Sequence, residues 1–168
     1  MKNHMELSES LEDYLEAILD LERTCKVART KDIAEKLDIK PGSVTGALRV
    51  LGEKGLINYS PYSYITLTPQ GESLALEIRR RHETLKCFLH DILQIDNDTA
   101  EITACRMEHV IDPVSLERLV LFINFIQECP RTQGDWLANF IKHCQAKEGI
   151  ETRHCVECLK QLPELPQE

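Results

Sequence analysis

Apolar residues recur at helical spacing through most of the chain, and the pattern is interrupted at a few well-marked places. Leu11, Leu15, Ile18 and Leu19 form a stripe that predicts a helix over residues 7–21. Ser8 would be its N-cap, with Glu9, Glu12 and Asp13 in the turns where the helix dipole favours negative charge. Ile33, Ala34 and Leu37 predict a second helix over 30–37 capped by Thr30, followed by a turn at Asp38-Ile39-Lys40. Pro41 opens a third helix over 41–54, with Val44, Ala47, Leu48 and Leu51 inward and Ser43, Thr45, Gly46 and Arg49 outward. Gly55 ends it, and alternation over 56–59 and 64–68 predicts two short strands joined by 60–63. Thr68-Pro69-Gln70-Gly71 reads as a turn into a long helix over 72–92, with Leu74, Ile78, Leu85, Leu89 and Ile92 inward. Two more helices are predicted over 97–110 and 115–129, separated at Asp112-Pro113.

These elements predict a mainly α fold with a small β-wing. Its N-terminal winged helix-turn-helix, residues 1–71, is followed by a helical domain over 72–129 and a Cys-rich extension over 130–168. In a helix-turn-helix the second helix enters the major groove of DNA, so Thr30, Lys40, Ser43, Thr45, Arg49 and the wing-tip Tyr62 are candidate DNA contacts. An ordinary helical hairpin has the same periodicity. The last predicted helix carries a broad apolar face of Leu116, Leu119, Val120, Phe122, Ile123 and Ile126. That is more apolar surface than a small subdomain covers, and it suggests a homodimer interface.

Charge qualifies this reading. The 168 residues carry a net charge of −8, which argues against nucleic acid. Residues 21–71, however, hold eight Lys and Arg against five Asp and Glu, a local balance of +3, which leaves −11 for the remainder. One phosphate-facing module and acidic surfaces elsewhere, some open to neutralisation by cations, fit that asymmetry. No apolar run is long enough to span a bilayer, so a cytoplasmic protein without membrane contact is expected. Seven cysteines, an odd number in a reducing compartment, point to metal ligation, redox chemistry or burial rather than a disulfide framework.

Candidate chemistry concentrates in residues 104–110, where Cys105, Glu108 and His109 stand at i, i+3 and i+4. On a helix these share one face, so sulfur, oxygen and nitrogen could converge on one cation. A surface Glu-His pair beside a core cysteine fits those seven residues equally well. Asp13 and Glu16 are i, i+3 neighbours able to approach one ion together, or simply a solvated acidic face; His82 follows a basic run and alone would read as an ordinary histidine. A second cluster, Cys129, Cys144, Cys155 and Cys158, has the donors for a structural zinc site or an iron–sulfur cluster, and equally could be four unrelated thiols.

The winged helix-turn-helix over 30–68, the Arg81-His82-Glu83 step and the 104–110 stretch together resemble the diphtheria-toxin-repressor and manganese-transport-regulator family of metal-dependent repressors. The resemblance implies a homodimer that binds a double-stranded DNA operator when loaded with a divalent metal. It implies Asp13, Glu16, His82, Cys105, Glu108 and His109 as the ligands. Asp13 and Glu16 look like the manganese branch and Cys105 like the iron branch, in which Lys86 and Glu101 fall at ancillary ligand positions. Because thiolate softens a carboxylate site, Fe(II) is the expected metal and Mn(II) the alternative. Two other functions compete. An enzyme could use Cys105 and His109 as nucleophile and base, though no glycine-rich oxyanion loop or cofactor motif accompanies them. An interaction protein could keep the fold and have lost DNA binding, a reading supported by the acidic balance and Gly46.

Overall fold

The computed structural model describes residues 7–60 and 63–128, together with positions 140, 142 and 144. The chain divides into two units, Met1–Ile123 and Asn124–Glu168, and the apolar clusters and polar centre described below belong to the first. Helix α1 spans Glu9–Cys25 and ends where Lys26 turns left-handed at φ 67°. It is longer than the stripe predicts, and its end is closed by Lys26 N, which donates to the Glu22 carbonyl at 2.8 Å. Ser8 stands at the cap position, but its side chain makes no capping bond.

Helices α2 (Thr30–Lys36) and α3 (Pro41–Glu53) form the helix-turn-helix, turning through Asp38 at φ 52°. Arg29, rather than Thr30, occupies the α2 cap. The reason is that the chain enters α2 from an extended bridge, Ala28 pairing with Ile65, which keeps Arg29 in β geometry. Strands β1 (Ile57–Asn58) and β2 (Thr66–Leu67) pair antiparallel in the register Ile57↔Leu67. The predicted wing is therefore present with shorter strands, and the segment after α1 adds to it.

Residues 68–71 are the start of the long helix, not a turn before it. Helix α4 covers Pro69–Cys87; Thr68 is its cap, its Oγ1 accepting from Gly71 N at 3.1 Å and donating to the Gly55 carbonyl at 2.7 Å. A π-helical turn, Phe88–Ile92, continues it. Helix α5 is Asn97–Glu108, capped by Asp96, so His109 falls one residue past its end. Asp112 does more than break a helix: its Oδ1 accepts from Val114 N and Ser115 N, both at 3.0 Å, and so caps α6, Pro113–Glu128.

Two apolar clusters organise the first unit. One gathers Leu15, Ile18, Ile33, Val44, Leu48, Leu51, Leu56, Ile65 and Ile78 from α1, α2, α3, the wing and the first half of α4. The other joins Leu85 and Leu89 to Ala100 and Ala104 of α5. Between Ile78 and Leu85, α4 reads Arg79-Arg80-Arg81-His82-Glu83-Thr84, so polar chemistry lies at the seam of the clusters. Of the apolar face expected on α6, Leu116, Ile123 and Ile126 are buried within the chain and Phe122 is exposed; Ile102, Val110, Val114 and Leu121 are exposed as well.

Gly46, midway along α3, faces open space: a Cβ there would meet nothing within 4 Å. Gly46→Ala is expected to raise stability by about 0.5–1 kcal/mol, the helix propensity difference. A denaturant midpoint that falls instead contradicts the exposed placement of this face.

Candidate metal centre

Three helices deliver the polar residues of the seam to one place. The stripe of α4 that buries Gly71, Ala75, Ile78, Leu85 and Leu89 passes through His82, and the stripe of α5 that buries Ala100 and Ala104 ends on Glu108. Glu108 is 0% exposed. A carboxylate so deep requires compensation. One oxygen has it, since Glu108 Oε2 lies 2.6 Å from His82 Nδ1. The other, Oε1, is buried without a hydrogen bond, 3.5 Å from His109 Nε2.

Ligand atoms of Asp13, Cys105, Glu108 and His109 lie within 4.8 Å of one another. Asp13 is carried by α1, and its Oδ1 is 3.1 Å from His109 Nε2. Glu16, one turn further along α1, lines a cavity of about 780 Å³ with Asp13, His82, Glu101 and Cys105. Of the six residues singled out in the sequence, four therefore converge tightly, His82 is bonded to one of them, and Glu16 forms the same wall. Glu101 is engaged elsewhere: Lys86 Nζ is 2.6 Å from its Oε2 and His82 Nε2 is 3.2 Å from its Oε1.

The electrostatics indicate a shortage of positive charge. Burial raises the Asp13 pKa above the ordinary aspartate value, and burial followed by the Glu108 charge does the same for Glu16. Burial, then Glu108, Asp13 and Glu16, raise the Cys105 thiol. His82 is raised by the hydrogen bond it donates to Glu108, against the opposing effect of burial. For His109 burial acts downward, but the Glu12 hydrogen bond and the charges of Glu108 and Asp13 outweigh it, leaving its pKa raised. A cation would relieve all five, and two carboxylates, a thiol and an imidazole are a donor set that suits one. The orphaned Glu108 oxygen and the convergence around it fit a divalent metal.

Two residues that the sequence reading did not assign to the centre lie against it. Glu12 Oε2 lies 2.8 Å from His109 Nδ1, and Arg81 bridges Glu12 Oε1 at 3.3 Å to the Glu108 carbonyl at 3.0 Å. The available signal for Arg81 is its position inside the polar run that splits the α4 stripe. Glu12 carries no comparable signal, since an acid in a first turn has a sufficient explanation in the helix dipole.

The candidate DNA residues lie apart from this centre. Lys40, Ser43, Thr45 and Arg49 are exposed and Thr30 is half-buried; Tyr62 lies outside the described residues. Arg49 Nε contacts Glu53 at 2.8 Å, an exposed pair weak enough to exchange for phosphate. On the wing side, the Arg29 guanidinium stacks over the Tyr64 ring at 5.3 Å. Of the C-terminal cysteines, Cys144 is exposed, and Cys129, Cys155 and Cys158 lie outside the described residues.

Residues 6–65 match the N-terminal DNA-binding domain described as iron dependent repressor, and residues 68–137 match its metal-binding and dimerisation domain. The chain belongs to the iron-dependent repressor family. It is a metal-dependent DNA-binding transcriptional regulator, as the sequence resemblance implies. This repressor is 41% identical over 118 residues to a helix-turn-helix-type transcriptional regulator of Methanocaldococcus jannaschii, covering 70% of this chain and 94% of that one. It is 34% identical over 121 residues to the regulator MntR of Lysinibacillus sphaericus, covering 72% and 86%. With the diphtheria toxin repressor of Corynebacterium glutamicum it shares 31% identity over 125 residues, 74% of this chain but 55% of that protein. The solved manganese regulator SloR superposes with a TM-score of 0.62 at 30% identity, over 71% of this repressor and 56% of SloR. The repressor thus spans little more than half the length of these last two proteins. Among the described residues no helix is long and apolar enough to cross a membrane.

Proposed function

We propose that Asp13, Cys105, Glu108 and His109 hold the regulatory cation, with Glu16 and His82 completing the wall, and that Fe(II) is the preferred ion with Mn(II) second. The observation that carries this is the fully buried Glu108, one oxygen of which has no hydrogen bond, in a cluster whose ligand atoms from Asp13, Cys105 and His109 lie within 4.8 Å. A bound divalent ion would supply the missing positive charge and one shared point of attachment for α1 and α5. In this reading residues 1–71 form the DNA-binding part and 72–129 the part that dimerises and holds metal.

The route from centre to DNA runs through α1. Asp13 and Glu16 stand on one side of it, while Leu15, Ile18 and Leu19 on another side pack in the cluster that contains Val44, Leu48 and Leu51 of the recognition helix α3. Asp20, further along the acidic side, pairs with Arg79 of α4 and, at 2.9 Å, with Lys36 of α2. A shift of α1 is therefore delivered to α2 and α3 as a rigid-body change, because the packed core does not deform continuously. Drawing Asp13 and Glu16 toward α5 favours one placement of the two recognition helices of a dimer, and so one half-site spacing.

The exposed thiol of Cys105 is the softest donor at the centre and sets the preference for iron. An enzymatic use of Cys105 with His109 as base is disfavoured, since both imidazole nitrogens already face carboxylates at 2.8 and 3.1 Å. The test is an anaerobic operator-binding titration, metal by metal and at several salt concentrations. Fe(II) is expected to tighten DNA binding, with affinity falling as salt rises, and Cys105→Ser is expected to lose more of the Fe(II) response than of the Mn(II) response. Equal losses for the two metals would remove the thiolate as the selecting ligand. DNA affinity identical in chelator and in metal overturns the whole mechanism.

A further inference from the structure

Glu12 and Asp13 are consecutive residues of α1, yet they take the two nitrogens of one imidazole: His109 Nδ1 lies 2.8 Å from Glu12 Oε2, and Nε2 lies 3.1 Å from Asp13 Oδ1. Side chains one residue apart on a helix diverge by roughly 100°, so the ring is gripped on two sides. On the Asp13 side it meets the unpartnered Glu108 oxygen and Cys105. On the Glu12 side it meets a second layer. There Arg81 Nη2 contacts Glu12 Oε1 at 3.3 Å and Nη1 donates to the main-chain carbonyl of Glu108 at 3.0 Å. The Arg81, Glu12 and His109 side chains are only 15%, 14% and 6% exposed.

We infer that Glu12 is a positioning residue for the cation: it accepts the Nδ1 proton of His109 and thereby presents Nε2 as the ligand, while Arg81 anchors both Glu12 and the end of α5. This rests on the metal centre proposed above. Holding one ring N–H on a carboxylate fixes the tautomer and orientation of an imidazole and raises the basicity of its other nitrogen. Glu12 suits that role and not direct ligation, because each of its oxygens is committed, one to Arg81 and one to His109. Arg81 serves a further purpose. By joining α1, α4 and α5 behind the ligands, it repeats the connectivity of the centre itself.

The experiment compares the full chain with Glu12→Gln, Glu12→Ala and His109→Ala. Mn(II) affinity is measured by chelator competition, and the histidine ring protons are followed by NMR with Zn(II) as a diamagnetic probe. Folding of each variant is checked by thermal denaturation. In the wild type the His109 Nδ1 proton is expected far downfield, as a carboxylate-bound N–H. Glu12→Ala is expected to lose about 10–100-fold in affinity, with that proton moving upfield and exchanging rapidly with water. Glu12→Gln, whose amide oxygen can still accept, should recover most of both. Wild-type affinity in Glu12→Ala overturns the inference, as does a loss of affinity with the His109 proton unmoved, which is the behaviour of a merely structural residue. His109→Ala separates the two levels of the argument: unchanged affinity there overturns the metal centre itself, whereas a loss there with none in Glu12→Ala overturns only the positioning role.

Discussion

Glu108→Gln is expected to abolish the metal response and leave the metal-free fold intact. The two halves of this expectation have different causes. The substitution keeps the size of a side chain that is 0% exposed, and it retains an acceptor for His82 Nδ1 at 2.6 Å, so no cavity opens. It also removes a charge from a pocket in which Asp13, Glu16 and Cys105 are all driven toward their protonated forms by burial and neighbouring carboxylates. The metal-free stability should change by no more than about 2 kcal/mol, the cost of one imperfect buried hydrogen bond. Cation affinity should fall by at least about 100-fold, since even residues that merely support a ligand are worth 10–100-fold. Thermal denaturation in chelator and a metal titration on the same sample read the two quantities independently. Wild-type affinity with the neutral amide would exclude Glu108 as a ligand.

Gly71→Ala is expected to produce the largest loss of stability of any single methyl addition to the DNA-binding part. A Cβ on Gly71 would stand 1.9 Å from the carbonyl oxygen of Leu56 and 2.8 Å from its carbonyl carbon. Both are backbone atoms, so no side-chain rotation relieves the clash. The Leu56 carbonyl cannot easily withdraw either, because it accepts from Thr68 N at 3.0 Å, and Leu56 itself is fully buried among Leu15, Leu48 and Ile65. Separating α4 from the wing to admit the methyl group should cost about 3 kcal/mol, the upper range for overpacking a tight core. Urea denaturation of Gly71→Ala beside Gly46→Ala makes the contrast visible, with midpoints moving in opposite directions. A midpoint at the wild-type value for Gly71→Ala would show that the close approach of α4 to Leu56 is wrong.

Much of the centre is legible as a violation of pattern. The stripe of α4 predicts an apolar residue where His82 stands, and the Ala100–Ala104 stripe of α5 predicts one where Glu108 stands. A charged or titratable group in register with a buried stripe requires a partner there. Asp13 and Glu16 are harder to read from pattern alone, because acidic residues early in a helix need no partner. Only the family resemblance points to them in the sequence, since the residues they meet lie on helices far away in the chain. Glu12 was not legible at all as part of the centre, since its contact with His109 crosses 97 positions. Boundaries erred where local rules compete: Thr68 to Gly71 has the composition of a turn, but Pro at the first helical position and a threonine cap also open a helix, and α4 takes the second course.

Periodicity, capping chemistry and the residue types at 13, 16, 82, 105, 108 and 109 determined the helix-turn-helix, the wing, the order of the two domains and the candidate ligands. These follow from sequence because each depends on neighbours within a turn or two of helix, or on a family pattern carried by those residues. Tertiary structure alone decided that Asp13 and Glu12 divide one imidazole between them, that Arg81 closes a second layer behind it, and that one Glu108 oxygen is left buried without a partner. These properties arise from the angles at which α1, α4 and α5 cross, which are set by packing two apolar clusters on either side of a polar seam, and no local pattern encodes such an angle.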